Sequence, residues 1–348
     1  MENVVVYTDC PWILEKDGTL NKDLADIEQE IFGAANIKVR FGLVKNGGFV
    51  TEGKEFLDNL KGAKALAIYR LQVTPDVINA SKGTLEIIGR IGVGYDNLNV
   101  NLLKKEGIHG FNIPDYCISE VASHTAALIL SLERGICYHD RLMKTGKWNI
   151  FEGNLPRRTN LLTLGIVGFG RIGKAVVQRL SPFYKRIIAY DPFVNADQMI
   201  GHGVEKVNTL DELAKESDVV TLHCVLSKKE ESEFPTYQMI DERFFNKMKR
   251  DAFLVNAARG AIVNNKDLLN ALKERKIAGA GIDVFLPENP HNDKITEEIV
   301  KLDNVIAICH RAFLSRESER SLRKRVAENI VNFLKYNKLP DVGYLTGK

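Results

Sequence analysis

The chain of 348 residues has little of what would mark it as a disulfide scaffold, a membrane protein or a nucleic-acid binder. Its five cysteines, Cys10, Cys117, Cys137, Cys224 and Cys309, are odd in number, scattered and never in C-x-x-C spacing. Disulfide pairing and structural zinc are thereby disfavoured, no metal site is expected, and a reducing cytoplasm fits best. No apolar run reaches the roughly 18 residues needed to span a bilayer. The start, Met1-Glu2-Asn3-Val4-Val5-Val6-Tyr7, has neither the basic opening nor the long apolar core of a signal peptide. Charge is nearly balanced at +3, without long Lys/Arg blocks, so no nucleic-acid or membrane partner is expected. Low-complexity segments and solenoid repeats are absent from the sequence.

What is there belongs to a soluble globular protein: 45% apolar and 27% charged residues. The length exceeds one ordinary core and predicts two domains. In the first third, apolar runs at Val4–Tyr7, Ile37–Val44, Ala65–Tyr69, Glu86–Arg90 and His109–Ile113 alternate with helical patterns near Lys22–Phe32, Gly53–Leu60, Thr74–Ala80 and Asn99–Glu106. Such alternation builds a parallel α/β sheet. Ser119–Leu142 reads as one long helix, capped by Ser119 or the turn before it. A second series follows, with six strands at Leu164–Val167, Arg186–Tyr190, Val219–Leu222, Ala252–Asn256, Gly281–Val284 and Val305–Ile308. A last helix near Glu317–Tyr336 has no strand after it and is expected to return to the first domain.

The second series opens with the most telling stretch. Leu164–Val167 runs into Gly168-Phe169-Gly170-Arg171-Ile172-Gly173, a G-x-G-x-x-G turn leading into an amphipathic helix. In such a turn the first glycine permits the strand-to-helix bend, the second admits a diphosphate to the backbone, and the third brings helix and strand close. The free N–H groups and positive dipole at the helix start face the phosphates. Asp191, 18 residues beyond Gly173 at the end of the next strand, can accept both adenine-ribose hydroxyls. Strand, turn, helix and acid together predict an NAD-binding Rossmann sheet. Tyr190-Asp191-Pro192-Phe193-Val194 offers no Arg or Lys for a 2′-phosphate, so NAD is expected over NADP.

Active sites in these sheets lie outside the carboxyl ends of the strands. Three strand ends carry Arg259, Glu288 and His310 respectively. Alone, each is an ordinary cap, turn or edge residue. Together they supply a fixed cation for a carboxylate, an acid/base for a carbonyl oxygen, and a carboxylate to orient that base.

With these residues the chain resembles, along essentially its whole length, the D-isomer-specific 2-hydroxyacid dehydrogenase family. The shared motifs are Arg90-Ile91-Gly92-Val93-Gly94-Tyr95-Asp96-Asn97, Asn112-Ile113-Pro114, Val121-Ala122-Ser123-His124-Thr125, Gly168–Gly173, Leu222-His223-Cys224, Asn256–Gly260, Ile282-Asp283-Val284-Phe285 and His310. Arg259 and Glu288 keep the family spacing of 29, and His310 follows Glu288 by 22. The resemblance implies an NAD-dependent oxidoreductase that interconverts a 2-oxo acid and the D-2-hydroxy acid. It implies that Arg259 binds the substrate carboxylate and carbonyl oxygen, that His310 gives and takes the proton, and that Glu288 pairs with His310. The backbone N–H groups of Val93 and Gly94 would hold the carboxylate from the other side of a cleft. Asp283 would bind the nicotinamide carboxamide, and His223, Val225, Ala257 and Ala258 would line the dinucleotide. The implied fold is a Rossmann domain, residues 113–313, inserted into a flavodoxin-like substrate domain of residues 1–112 plus 314–348. A homodimer through the long helix after Pro114 is also implied.

Departures from the family pattern are Ser123 for the usual acid, Val225 for the usual Pro, a longer loop at Ser227–Met239, and Asn289 between Glu288 and Pro290. His310-Arg311-Ala312-Phe313 replaces His-Ile-Gly-Gly and is most similar to the branch containing the C-terminal binding protein corepressors. The alternative function is therefore an NADH-sensing, protein-binding scaffold. Scaffolds of that kind carry regulatory tails, whereas this chain starts in a strand and ends soon after its last helix, which favours the enzyme. Formate dehydrogenases place Gln where Glu288 stands. L-lactate and malate dehydrogenases carry their glycine turn near the N-terminus. The particular acid is not readable. Arg70 and Arg90 could serve a second anionic group or form structural ion pairs, and Trp12, Tyr95 and Phe313 could line an apolar pocket or simply pack in the core.

Overall fold

The computed structural model describes residues 3–347. The chain divides into two compact units, one formed by Met1–Tyr116 together with Ser315–Lys348 and the other by Cys117–Leu314.

In the first unit β1 (Val4–Tyr7), α1 (Asp26–Ala34), β2 (Lys38–Phe41), β3 (Val44–Lys45), β4 (Gly48–Phe49), α2 (Gly53–Leu60), β5 (Ala65–Ile68), α3 (Pro75–Ala80), β6 (Ile87–Arg90), α4 (Val100–Glu106) and β7 (His109–Phe111) follow in order. Five strands form a parallel sheet in the order β2-β1-β5-β6-β7. Fully buried strands such as Val4–Tyr7 and Ala65–Ile68 read as unbroken apolar runs because both sheet faces are covered. The expected strand Ile37–Val44 stops at Phe41. Gly42 there lies against the Thr8 backbone, and the chain turns into the small antiparallel hairpin β3–β4.

The second unit begins with α5 (Ile118–Glu133) and α6 (Ile136–Lys144). The single helix expected over Ser119–Leu142 is thus two. The break falls at Gly135, which adopts φ 63 in the left-handed region that glycine enters without steric penalty. Neither does Ser119 cap the first of them: the N-cap is Cys117, without a side-chain cap bond. The chain continues through β8 (Thr163–Val167), α7 (Arg171–Leu180), β9 (Arg186–Tyr190), α8 (Ala196–Ile200), β10 (Glu205–Lys206), α9 (Leu210–Glu216), β11 (Val219–Leu222), α10 (Glu242–Phe245), β12 (Phe253–Asn256), α11 (Asn265–Lys273), β13 (Gly279–Ile282), α12 (Lys294–Lys301) and β14 (Val305–Ala307). Its parallel sheet has seven strands rather than six, ordered β10-β9-β8-β11-β12-β13-β14. The additional edge strand β10 is only two residues long and carries no apolar run to announce it. The strand expected at Gly281–Val284 ends two residues earlier, at Ile282, so Asp283 and Val284 belong to the loop. Apolar clusters cover both faces of this sheet, α5 and α7 on one and α9–α12 on the other. The unit is a Rossmann dinucleotide-binding fold.

The last helix, α13 (Arg316–Tyr336), belongs to the first unit and packs on α1. Leu322, Val326, Ile330 and Phe333 enter the core there. Arg323 gives the helix its specific seat: its guanidinium donates to buried Glu28 at 2.7 Å, to Glu319 at 3.0 Å and to Asp26 at 2.9 Å. Removing one partner of such a buried ion pair is strongly destabilising.

Candidate active site

The turn after β8 is built by close approach. Gly168 has φ 91, and a Cβ there would stand 2.7 Å from the backbone of His223 and Cys224. A Cβ on Gly173 would stand 2.3 Å from the Gly168 carbonyl oxygen. At Gly170 a Cβ would meet nothing within 4 Å, so the backbone faces open space where a diphosphate could approach. Gly170 caps α7 without a side-chain bond, which leaves the first-turn N–H groups of Arg171, Ile172 and Gly173 oriented to an anion. Asp191 stands beside this turn. Its Oδ2 accepts the Phe169 N–H at 2.8 Å and its Oδ1 accepts the Phe193 N–H at 2.9 Å. Each oxygen keeps a lone pair for a ribose hydroxyl. The residues present therefore fit an adenine dinucleotide.

His223 follows β11 and exchanges a hydrogen bond with Thr221 Oγ1 at 3.0 Å through Nε2. The residue as a whole is half-buried, but the dense surround of its ring strips hydration and holds its pKa down to about 3. It is neutral at physiological pH. Val225, beyond it, is exposed.

After β12, buried Asn256 shapes the loop that carries Ala257, Ala258 and Arg259. Its Oδ1 accepts the Ala258 N–H at 3.0 Å, and its Nδ2 donates to the Arg259 carbonyl at 2.9 Å. Arg259, half-buried, donates from Nη1 to the Ala258 carbonyl at 2.9 Å. Asn256 was legible only as part of a motif; its positioning work depends on tertiary placement.

Asp283, 1% exposed, ties the loop after β13 to the one after β14. The Asn256 carbonyl accepts the Asp283 N–H at 2.9 Å. The Asp283 carbonyl accepts the His310 N–H at 2.7 Å, while its carboxylate accepts the N–H groups of Arg311 at 3.0 Å and Ala312 at 3.1 Å. Three successive N–H groups thus converge on one residue. They hold His310 at φ 52, a left-handed conformation that a non-glycine residue keeps only when its surroundings impose it. His124 on α5 lies nearby, with Nε2 3.5 Å from Asp283 Oδ1. His124 was quoted in sequence only as a motif member, and nothing local announced this contact.

His310 Nδ1 lies 2.8 Å and 2.9 Å from the two Glu288 oxygens. A carboxylate only accepts, so Nδ1 carries the proton and Nε2 is the atom available for proton exchange. The Phe313 ring stands edge-on to the imidazole, with centroids 6.0 Å apart. Arg259, Glu288 and His310 therefore all extend from the carboxyl-end rim of β12, β13 and β14.

In the first unit, the turn bearing Val93 and Gly94 follows β6. Asn112 Nδ2 donates to the Val93 carbonyl, and the Gly92 carbonyl accepts the Ile113 N–H at 3.1 Å. Arg70 follows β5 in a loop clamped from both sides. Asp9 accepts the N–H groups of Tyr69, Arg70 and Leu71, and Asn97 Nδ2 donates to the carbonyls of Tyr69 and Leu71. The guanidiniums of Arg70 and Arg90 lie 5.5 Å and 5.8 Å from the Tyr69 ring centre. Arg90 Nη1 also donates to the Ile91 carbonyl at 2.7 Å. Trp12 packs edge-on against Tyr69, 6.3 Å between centroids, and beneath Arg323, so its ring belongs to the core of this unit.

Comparison with known proteins bears on the family and the fold. Residues 126–312 match the family model for the D-isomer specific 2-hydroxyacid dehydrogenase, NAD binding domain. A D-3-phosphoglycerate dehydrogenase of Methanocaldococcus jannaschii is 35% identical over 90% of this chain and 58% of its own length. A second, from Archaeoglobus fulgidus, matches over 48% of its length, so the chain spans about half the length of these relatives. A glyoxylate reductase of Korarchaeum cryptofilum is 37% identical over 80% of this chain and 82% of its own. The solved D-lactate dehydrogenase of Aquifex aeolicus, complexed with NAD and lactic acid, superposes with a TM-score of 0.84 at 26% identity, covering 99% of this chain and 100% of that one. The chain belongs to the D-isomer-specific 2-hydroxyacid dehydrogenases, and its second unit is the family's NAD-binding domain.

Proposed function

We propose that the protein is an NAD-dependent dehydrogenase that interconverts a small 2-oxo acid and its D-2-hydroxy acid. The observation that carries this reading is the His310–Glu288 pair on the same strand-end rim as Arg259, beside a turn shaped for a dinucleotide. Bound NADH supplies the hydride for the substrate carbonyl carbon. Arg259 holds the carboxylate and carbonyl oxygen in a planar fork. The N–H groups of Val93 and Gly94 would also serve the substrate carboxylate. His310 donates its Nε2 proton to the developing alkoxide, and Glu288 offsets the charge on the imidazolium through Nδ1. Asp283 holds the His310 backbone and offers a carboxylate to the nicotinamide carboxamide, and His223, Val225, Ala257 and Ala258 line the dinucleotide. The first unit would serve as the substrate domain and the second as the cofactor domain, their divisions at 116/117 and 314/315 lying a few residues from the expected 112/113 and 313/314. The relatives named glyoxylate reductase and hydroxypyruvate reductase favour short, polar 2-oxo acids. Arg70 and Arg90, both near the Tyr69 ring, would favour an acid with a second anionic group.

A steady-state screen with glyoxylate, hydroxypyruvate, phosphohydroxypyruvate, phenylpyruvate and branched 2-oxo acids tests the reading. Turnover of at least one acid is expected, with NADH preferred over NADPH because Asp191 repels a 2′-phosphate. Comparable kcat/KM with NADPH would remove Asp191 from its role. No turnover with any acid would leave the NADH-sensing scaffold as the better reading.

The protein is further proposed to act as a homodimer in the cytoplasm. None of the residues of α6 is buried, and Met143, Trp148, Ile150, Phe151, Leu155 and Leu161 are all exposed along this segment. So many exposed large apolar side chains within one segment point to a contact surface. Among the described residues no helix is long and apolar enough to cross a membrane, and all five thiols are free, as in a reducing compartment. Sedimentation velocity should give a dimer for the native chain and a monomer for Trp148→Asp. A monomer for both at micromolar concentration would refute the dimer.

A further inference from the structure

The loop between β11 and α10, read from the sequence as longer than the family pattern, closes firmly on itself. Thr236 Oγ1 accepts the Ser227 N–H at 2.8 Å and donates to the Val225 carbonyl at 2.6 Å. The Ser227 carbonyl accepts the N–H groups of Thr236 and Tyr237, both at 3.0 Å. Nearer the tip, the Lys228 carbonyl accepts the Glu231 N–H at 3.0 Å, and Ser232 Oγ accepts the Phe234 N–H at 3.1 Å. Those bonds place Phe234, whose ring meets Phe193 edge-to-face with centroids 5.6 Å apart and planes at 88°. The loop is an ordered arm with an aromatic tip.

The topology determines what the tip reaches. In the sheet order β9-β8-β11, the segments after β9 and β11 flank the glycine turn that follows β8. Phe193 comes two residues after Asp191, and its own N–H binds that carboxylate. The Phe193–Phe234 contact therefore bridges the crevice above the carboxyl end of β8. A dinucleotide whose diphosphate lies at the start of α7 and whose ribose lies on Asp191 directs its adenine into that crevice. Yet Phe193 is 74% exposed and Phe234 39%. Removing such rings from water is favourable, and the paired rings leave apolar surface that a flat aromatic base could cover.

We propose that Phe234 and Phe193 form an aromatic lid over the adenine of bound NAD, and that the 227–239 loop slows cofactor release. The inference rests on the NAD-binding reading and adds a binding element to it. Stacking of a base on an aromatic side chain, removed by alanine substitution, changes affinity by about tenfold or more.

Titrations of the full chain with NADH, ADP-ribose and reduced nicotinamide mononucleotide, together with stopped-flow NADH dissociation, test it. For Phe234→Ala, NADH and ADP-ribose should bind about tenfold more weakly. NADH should leave correspondingly faster, the mononucleotide should be unaffected, and Phe234→Tyr should restore native binding. Unchanged affinity and dissociation in Phe234→Ala would overturn the lid. So would an equal loss for the mononucleotide, or no rescue by tyrosine. A native chain that binds neither NADH nor ADP-ribose would overturn the cofactor reading and the lid with it.

Discussion

His310→Ala should abolish most turnover while leaving NADH binding intact. A positioned general acid contributes about 10²–10⁴-fold to rate, and kcat/KM for 2-oxo acid reduction should fall by that order. Glu288 orients the imidazole through Nδ1, at 2.8 Å and 2.9 Å, so the proton at Nε2 is the one delivered to the substrate. Reduction takes a proton from Nε2 and oxidation of the hydroxy acid returns one to it, so the same ring serves both directions. Glu288→Gln keeps a hydrogen-bonding group at Nδ1 but removes the negative charge facing it. Its kcat/KM should fall in both directions while NADH binding stays native. Wild-type kcat/KM in Glu288→Gln, with chemistry rate-limiting, would take Glu288 out of the pair. Native NADH affinity in His310→Ala checks that any lost turnover is not lost folding.

Arg259→Lys should lose at least about tenfold in kcat/KM, equivalent to about 1.4 kcal/mol of transition-state stabilisation. The guanidinium can bind a carboxylate and a carbonyl oxygen together in one plane, whereas an ammonium is a point charge on a flexible stem. The loop that presents it is rigid. Asn256 bonds both the Ala258 N–H and the Arg259 carbonyl, and Arg259 Nη1 returns to the Ala258 carbonyl. A lysine at this position would keep the charge and lose the fork. NADH affinity should change little, since the dinucleotide turn lies on β8. Wild-type turnover in the lysine variant would take Arg259 out of the substrate site.

Local chemistry explains how much of this was legible in the chain. The cofactor half of the site is written in contiguous residues. Gly168, Gly170 and Gly173 have spacings imposed by one turn, and Asp191 stands at the end of the next strand. Similarly, Thr74 and Asn99 cap their helices as their side-chain chemistry demands. The strand ends bearing Arg259, Glu288 and His310 followed from apolar runs with turn residues after them. Errors fell where the local pattern was silent or ambiguous. The apolar face of Ser119–Leu142 runs through Gly135 without a change of period, and only a left-handed φ breaks the helix there. A two-residue strand such as β10 has no period at all.

By itself, then, the sequence determined the α/β class, the family, the NAD turn and the strand ends from which the acid/base residues emerge. Each of these depends on neighbours within a few residues or on a repeating period. Tertiary structure alone decided the contacts between segments distant in the chain. Asp283 gathers the N–H groups of residues 310–312, Arg323 seats α13 on α1 through Glu28, and Phe234 reaches across to Phe193. These pairings are separated by 28, 295 and 41 residues, and no local propensity couples positions so far apart. Phe234 meets Phe193 because β9 and β11 flank β8 in the sheet, an order different from their order in the chain. Asp283 meets residues 310–312 because the neighbouring strands β13 and β14 end side by side, and Arg323 meets Glu28 because α13 packs on α1.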